Sequence, residues 1–265
     1  MEYDLGLVLS GGGARGLGHV GVLKALTEEG VEPEVLAGTS SGAVVAALYA
    51  AGYSFDEMLE FFIAKNPWRL SKLALAKPGI FDTDKIVADF LEYFPEDSFE
   101  ALEKKIFLTA TDIVGARSEI FASGRLIPAI LASASTPLVF APTEFEGRWY
   151  SDGGITNNFP VEPLLGHCNA ILGVYVSPPR PIDEKDLGSS LAVSQRAFEI
   201  GMYHSSKRKF HHCDLLLCPS ELSRYSPFDT KHLEEILQVG YRAARDQMET
   251  ILRLVTGAGE HARTE

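Results

Sequence analysis

A serine flanked by glycines is the first candidate for chemistry in this sequence, since Ser40 stands in the middle of residues 38–42, GTSSG. A serine in a tight turn between a strand and a helix holds its hydroxyl above the sheet, where it can attack a carbonyl. Side chains larger than those of Gly38 and Gly42 would crowd that turn. The free amides and the dipole of the following helix would favour the negative oxygen that forms during the attack.

A glycine loop stands upstream, at residues 11–16, GGGARG. The backbone amides of Gly11, Gly12 and Gly13 could donate to the same negative oxygen, and loss of one such donor costs roughly 3 kcal/mol in comparable sites. Arg15 adds a permanent positive charge. The two loops together predict a nucleophile beside a group of hydrogen-bond donors.

Two short strands and two helices must position these loops. The apolar run at residues 4–10 predicts a buried strand that ends at the glycine loop, and the apolar spacing over 14–29 predicts a helix. Residues 33–37 and 43–51 predict a second strand and a second helix. Neighbouring parallel strands lie about 4.8 Å apart and end at one edge of the sheet, so this βαβα unit brings both loops together.

The glycine loop also fits a different function, because Gly11, Gly13 and Gly16 satisfy the G-x-G-x-x-G pattern of a dinucleotide-binding loop. That pattern predicts an acidic residue at the end of the second strand, where it would hold a ribose hydroxyl. The strand leads into GTSSG instead. A nucleotide-binding protein therefore remains the alternative to a hydrolase.

The composition is typical of a soluble α/β protein with one large core. The 265 residues carry a net charge of −12, which repels nucleic acid and gives no general attraction to anionic lipid. No apolar run approaches the ~20 residues that span a bilayer, and the first residues lack the pattern of a secretory signal. We predict a cytoplasmic protein with one domain over residues 1–255, a disordered tail over 256–265 and no nucleic-acid partner.

Residues 53–81 depart from the acidic character of the chain. They mix aromatic and leucine side chains with bases, and no acid occurs between residues 65 and 77. Such a segment fits a cap, or a transient contact that makes the protein peripheral at a membrane surface. A helical pair packed on the core accounts for the same pattern, so both interpretations stay open.

A serine nucleophile needs a base that takes its proton. Residues 144–150 predict a hairpin that leads into residues 151–154, SDGG. A solvated aspartate, with a pKa of about 3.9, is a weak base near neutral pH, but burial beside Trp149 or Tyr150 would raise that pKa. Asp152 is therefore a candidate base, although an Asp-Gly pair by itself is typical of a turn.

Four segments, in this order, resemble the sequence blocks of the patatin-like phospholipase family. They are residues 11–16 (GGGARG), 38–42 (GTSSG), 132–137 (ASASTP) and 152–154 (DGG). The resemblance implies a three-layer α/β/α sandwich with a mostly parallel central sheet. It also implies hydrolysis of lipid acyl esters, either phospholipid or lysophospholipid, through an acyl-serine intermediate.

The same resemblance implies roles for individual residues. Ser40 would be the nucleophile and Asp152 its base, in a Ser–Asp dyad. The glycine loop, with Gly11, Gly12, Gly13 and Arg15, would form the oxyanion hole. We predict no metal or organic cofactor.

Histidines offer a further alternative, because α/β-hydrolases complete a triad with a histidine that follows the acid. None of the histidines after Asp152 lies in a glycine-marked loop; they are His167, His204, His211, His212, His232 and His261.

We assign His19, on the first helix, to support of the glycine loop and Asp112, after the strand at 105–111, to a turn. A binding or regulatory module on the same fold is the last alternative.

Overall fold

The computed structural model describes residues 1–65, 83–137 and 140–261. Within them, eight strands form one sheet in the order β5-β6-β3-β2-β1-β7-β8, with β4 paired to β3. The strands are β1 (Tyr3–Leu9), β2 (Val35–Thr39), β3 (Lys105–Asp112), β4 (Arg117–Phe121), β5 (Thr143–Phe145), β6 (Arg148–Asp152), β7 (Cys168–Val174) and β8 (Leu215–Leu217). The helices are α1 (Leu17–Glu28), α2 (Ser41–Ala50), α3 (Phe55–Ala64), α4 (Thr83–Tyr93), α5 (Leu126–Ala134), α6 (Ser190–Lys207), α7 (Leu233–Asp246) and α8 (Met248–His261).

The sheet has a parallel part and an antiparallel part. Strands β3, β2, β1, β7 and β8 are parallel neighbours in that order. Strands β4 and β6 run antiparallel to β3, and β5 runs antiparallel to β6. The predicted α/β fold with a mostly parallel central sheet is therefore confirmed.

Both faces of the sheet are covered, which explains the unbroken apolar run of β1. Leu7 and Leu9 belong to the larger core cluster, which also contains buried residues of α1, α2, α5 and α7. Val8 points to the opposite face, where it packs in a smaller cluster with Val35 and Phe159. These two clusters give the chain its three layers.

Helices α1 and α7 approach each other so closely that glycine is required at the contact. A Cβ atom on Gly240 would collide with the carbonyl of Gly18, and one on Gly21 would collide with the carbonyl of Leu237. Each collision involves backbone atoms, which cannot move aside as a flexible side chain can. The two helices thus pack backbone to backbone on the outside of the sheet.

The element boundaries differ from the sequence prediction at the first helix and at the C-terminal end. The helix predicted from residue 14 begins with a 3-10 turn at Gly13–Gly16, where Gly13 has a φ of +60°. Helix α8 continues to His261, past Thr256, where the sequence predicted a disordered tail. Leu252 and Val255, in the earlier turns of this helix, pack against the core. Residues 262–265 lie outside the described residues.

The segment at 53–81 is described only in part. Helix α3 buries Met58, Phe61 and Phe62 in the core, so this portion packs as an ordinary amphipathic helix. Residues 66–81, which carry most of the predicted membrane-facing surface, lie outside the described residues. Among the helices that the structure describes, none combines the length and the apolar character needed to cross a bilayer.

Candidate active site

Ser40 occupies the junction between β2 and α2, and its backbone is strained. Its φ of 54° and ψ of −121° are backbone angles at which tight turns usually have a glycine. A non-glycine residue in such a conformation costs about 1–3 kcal/mol and persists only where the surrounding structure holds it. The Ser40 amide donates to Ser133 Oγ at 2.8 Å, and Ser133 Oγ in turn donates to the Thr109 carbonyl at 2.6 Å.

The glycines on either side of Ser40 are not themselves in the turn. The sequence predicted a turn over 38–42, but Gly38 is part of β2 and Gly42 is part of α2. A Cβ on Gly38 would lie 2.5 Å from the Gly42 carbonyl oxygen, and one on Gly42 would collide with the Leu9 carbonyl. The glycines therefore let the strand, the helix and the end of β1 approach closely around one strained residue.

Strand β3 brings Asp152 to Ser40. In the sheet, Thr109 is paired with Thr39, the residue before the serine, and the next residue, Ala110, is paired with Asp152. The serine and the aspartate thus share a neighbouring strand although 111 residues of chain separate them. The Ser40 Oγ donates to Asp152 Oδ2 at 2.8 Å.

The Asp152 carboxylate is buried, with 5% of its surface exposed. Besides Ser40, it accepts from Thr136 Oγ1 at 2.7 Å and from the Gly154 amide at 2.8 Å. Burial raises the pKa of Asp152, while these three hydrogen bonds lower it; burial is the larger effect. The side chain of Trp149 is 46% exposed and gives little shielding, whereas Tyr150 is buried.

The glycine loop lies beside Ser40, but its amides are not equivalent. The Gly11 amide donates to the Asn158 carbonyl at 3.3 Å, so this donor is already used. The amides of Gly12 and Gly13 have no acceptor in the described part of the chain. Both glycines border the same cavity as Ser40. Of the predicted donors, these two are the ones available to a substrate oxygen.

The Arg15 guanidinium holds a neighbouring loop. Its Nε donates to the Tyr225 carbonyl at 2.8 Å, and the Ala14 amide donates to the Pro227 carbonyl at 2.7 Å. Burial lowers the pKa of Arg15, which still stays far above neutral pH as an arginine. Arg15 borders the cavity with Ser40, but part of its hydrogen-bonding capacity is spent on positioning residues 225–227.

Histidines are absent from the lining of the Ser40 cavity, as far as the structure describes the chain. His19 is fully buried and its Nε2 donates to the Ser10 carbonyl at 2.7 Å, beneath the glycine loop. Burial lowers the pKa of His19 to about 4, so its ring is neutral and supports the loop. The carboxylate of Asp112 accepts from the Gly115 amide at 2.7 Å, which is a turn contact.

The cavity above Ser40 and Asp152 has a volume of about 410 Å³. Apolar side chains from four separate segments line most of it; they include Pro137, Pro178, Leu191, Phe198, Met202 and Phe228. Helix α6 contributes three of them, Leu191, Phe198 and Met202. An apolar cavity of this size with a few polar groups at one end fits a ligand with a hydrocarbon chain.

Several residues of the site were not assigned by the sequence analysis. Ser133 and Thr136 lie inside the block at residues 132–137, where the pattern gave no individual roles. Asn158 is 2% exposed and borders the cavity, and Pro227 and Phe228 also line it. Of these residues, only those in the 132–137 block could have been found from the sequence. Contacts between distant segments leave no local sequence pattern.

Fold and site together define an α/β protein with a strained serine, a buried aspartate and a glycine loop at one edge of the sheet. The sequence model described as patatin-like phospholipase matches residues 7–165, more than half of the chain. The chain belongs to the patatin-like phospholipase family.

Relatives of this chain include proteins named for an NTE family and a lysophospholipase. An uncharacterized NTE family protein of Mycobacterium tuberculosis is 36% identical over 173 residues, which cover 64% of this chain and 48% of that protein. A lysophospholipase, NTE1, of Candida glabrata is 32% identical over 179 residues, which cover 65% of this chain and 10% of that protein. The chain thus spans about half the length of the mycobacterial relative and far less of the yeast one.

Solved structures share the fold. VipD from Legionella pneumophila has a TM-score of 0.55 at 15% identity, covering 97% of this chain and 67% of that chain. Human GIVD cytosolic phospholipase A2 has a TM-score of 0.55 at 12% identity, covering 98% of this chain and 61% of that chain. At such identities the likeness concerns the arrangement of the chain alone.

Proposed function

We propose that this protein is a serine hydrolase of lipid acyl esters, either phospholipid or lysophospholipid, that works through a Ser40–Asp152 dyad. The observation that carries the proposal is the hydrogen bond from Ser40 Oγ to Asp152 Oδ2, 2.8 Å long, at the floor of an apolar cavity. Membership of the patatin-like phospholipase family and the similarity to a protein named lysophospholipase support the same substrate class.

In the first half of the reaction, Ser40 Oγ attacks the ester carbonyl carbon while its proton passes to Asp152. The carbonyl oxygen becomes negative, and the amides of Gly12 and Gly13 are the donors placed to stabilise it. When the tetrahedral intermediate collapses, the bond to the alcohol breaks and Asp152 returns its proton to the leaving oxygen. An acyl group then remains on Ser40.

In the second half, water attacks the acyl carbonyl and loses its proton to Asp152. The intermediate breaks at the Ser40 oxygen, which takes the proton back and leaves the free fatty acid. Burial of Asp152 makes its carboxylate more basic than a solvated one, which favours both proton transfers. Thr136 and Gly154 hold the carboxylate in place through the whole cycle.

A kinetic comparison tests the proposal. The wild-type protein should release fatty acid from lysophospholipids and from water-soluble acyl esters. Ser40→Ala and Asp152→Asn should each lose at least a hundredfold in kcat/KM, since general base catalysis alone contributes about 10²–10⁴-fold. As controls, His204→Ala and His232→Ala should keep nearly full activity. Activity that survives Ser40→Ala, or disappears in a folded histidine variant, would contradict the dyad.

A further inference from the structure

A second cavity adjoins the one above Ser40. It has a volume of about 270 Å³ and is lined by four arginines, Arg15, Arg180, Arg196 and Arg224. Arg15, Arg180 and Glu199 line both cavities, so the two are connected along a shared wall. We call the second cavity the arginine pocket. The arginine pocket thus lies directly beside the cavity that contains Ser40.

Arg15 is a buried cation that makes no salt bridge with the described residues, although the charge of Glu199 acts on it from farther away. Only 5% of its surface is exposed, and within the described residues its one hydrogen bond is from Nε to the Tyr225 carbonyl. No carboxylate in the described ranges lies within 4.0 Å of its guanidinium. A buried charge is costly unless it is paired, so this group would gain from an anion in either adjoining cavity.

Two more arginines of the pocket are unpaired. Neither Arg180 nor Arg224 has an ion pair with any residue that the structure describes, whereas Arg196 is paired with Glu199 at 3.4 Å. The pocket also contains Asp186, but its carboxylate accepts from the Asp183 amide at 3.0 Å and belongs to a local turn. The lining therefore carries four arginines against two acids, Asp186 and Glu199, which leaves a formal excess of two positive charges.

Arginines elsewhere in the described chain are mostly paired. Those with a carboxylate within 4.0 Å are Arg117, Arg125, Arg148, Arg242, Arg245 and Arg253. Such pairing is expected in a protein with 36 acids and 24 bases. A cluster of unpaired arginines beside the substrate cavity stands against that trend and indicates a site for an anion.

We propose that the arginine pocket is the headgroup subsite, which binds the phosphate of an acyl lipid while its ester lies at Ser40. The planar guanidinium donates in pairs to phosphate oxygens, and several arginines can share one phosphate. The inference rests on the proposed function, and it adds a preference: acyl esters that carry a phosphate bind better than neutral acylglycerols of equal chain length.

The kinetic test compares one lysophospholipid with the monoacylglycerol of the same acyl chain, both below their critical micelle concentrations. The wild type should show a kcat/KM at least about tenfold higher for the lysophospholipid. In Arg224→Gln, which changes an exposed residue of the pocket, the ratio of the two kcat/KM values should fall about five- to tenfold. Arg224→Lys, which keeps the charge, should restore part of it.

The control is Arg253→Gln, the same substitution at an exposed arginine of α8. It should keep the wild-type ratio. Hydrolysis of both lipids with equal kcat/KM, or a ratio that Arg224→Gln leaves unchanged, would overturn the headgroup subsite while leaving the hydrolase proposal intact. Failure of the wild type to hydrolyse either lipid would instead contradict the proposed function.

A binding measurement decides the question without catalysis. In the Ser40→Ala background, calorimetry should show tighter binding of dodecylphosphocholine than of 1-O-dodecylglycerol, with the difference lost on adding Arg224→Gln. Inorganic phosphate should compete only weakly. Equal binding of the two amphiphiles would overturn the subsite, and displacement of dodecylphosphocholine by low concentrations of inorganic phosphate would assign the pocket to a free anion instead.

Discussion

Thr136 controls the basicity of Asp152 by donating a hydrogen bond to the oxygen that also faces Ser40. The proposed reaction needs Asp152 ionised, and burial raises its pKa, so activity should fall on the acid side as the carboxylate takes up a proton. The hydrogen bond from Thr136 lowers that pKa. Its removal in Thr136→Val should therefore move the acid limb of the pH–kcat/KM profile to higher pH.

The matched control is Thr143→Val. Thr143 shares a hydrogen bond with Ser135 at 2.7 Å and has none with Asp152, so this variant should keep the wild-type profile. A profile measured with a water-soluble ester avoids effects of lipid aggregation. An acid limb that stays in place in Thr136→Val, or moves to lower pH, would show that Thr136 does not tune the base.

Asp152 should also lower the stability of the protein at neutral pH. Because its pKa is raised in the folded state, the stabilisation that comes from holding its proton is complete below the unfolded pKa and is lost as pH rises through the folded value. Asp152→Asn removes the buried charge and should raise Tm by a few degrees at pH 7, since about 1 kcal/mol corresponds to about 2–4 °C at this size.

The gain in Tm should shrink as the pH is lowered through the raised pKa, where wild-type Asp152 becomes neutral as well. Calorimetric melts at several pH values measure it. Asp112→Asn is the control, because Asp112 accepts a turn hydrogen bond and lies 3.5 Å from Arg117, so its replacement should give no gain. A lower Tm for Asp152→Asn at neutral pH would contradict a net cost of the buried carboxylate.

At the scale of elements, the contact between α1 and α7 should be the most sensitive packing in the helical layer. Gly240→Ala places a methyl group against the Gly18 backbone and should destabilise the protein by about 1–3 kcal/mol, as overpacking does. Gly201→Ala lies on α6 with nothing within 4 Å of the new Cβ, and should stabilise by about 0.5–1 kcal/mol through helix propensity.

Urea unfolding of both variants measures the difference. The two substitutions are chemically identical and differ only in what the new methyl group meets. If Gly240→Ala proved as stable as the wild type, the two helices would have to separate at little cost, contrary to the close approach of their backbones.

Helix α6, which lines the cavity, and helix α2, which follows Ser40, differ in burial. All ten residues of α2 are buried, whereas α6 buries only Ser206 among its eighteen residues and leaves Leu191, Val193 and Ile200 exposed. A helix with few buried contacts opens at a lower free energy than one in the core. We therefore expect α6, which lines the cavity, to open more easily than α2.

Hydrogen exchange tests this difference. Amides of α6 should exchange orders of magnitude faster than those of α2 in native buffer, and binding of a lipid analogue should slow α6 more than α2. Peptide-resolved mass spectrometry reads both helices in one experiment. Equal protection of α6 and α2 without ligand would show that α6 is as firmly packed as the core helix.

At the scale of the whole molecule, the sequence predicted the features that depend on neighbouring residues, which are the first strands, turns and helices. The apolar run of β1 and the glycines around Ser40 predicted the βαβα unit and the position of the serine, because strand, turn and helix depend on neighbouring residues. Asp152 was selected by chemical need and by resemblance to a family. Its placement depends on β3 pairing with both β2 and β6, which no local pattern shows.

The contacts that complete the site come from distant parts of the chain and were not predicted. Ser133 accepts a hydrogen bond from the Ser40 amide, and Pro227 and Phe228 line the cavity together with Arg15. The engagement of the Gly11 amide by Asn158 likewise depends on how two remote loops pack. The predictions of a cytoplasmic location, of membrane contact through 53–81 and of no nucleic-acid partner remain predictions.

Covalent labelling of the folded protein by a fluorophosphonate tests the central claim most directly, since the reagent phosphonylates activated serines. Intact-mass spectrometry should show one adduct on the wild type, peptide mapping should place it on Ser40, and Ser40→Ala should stay unmodified. Asp152→Asn should react far more slowly. An adduct that persists in Ser40→Ala, or a folded wild type that takes no label, would contradict the assignment of Ser40 as the nucleophile.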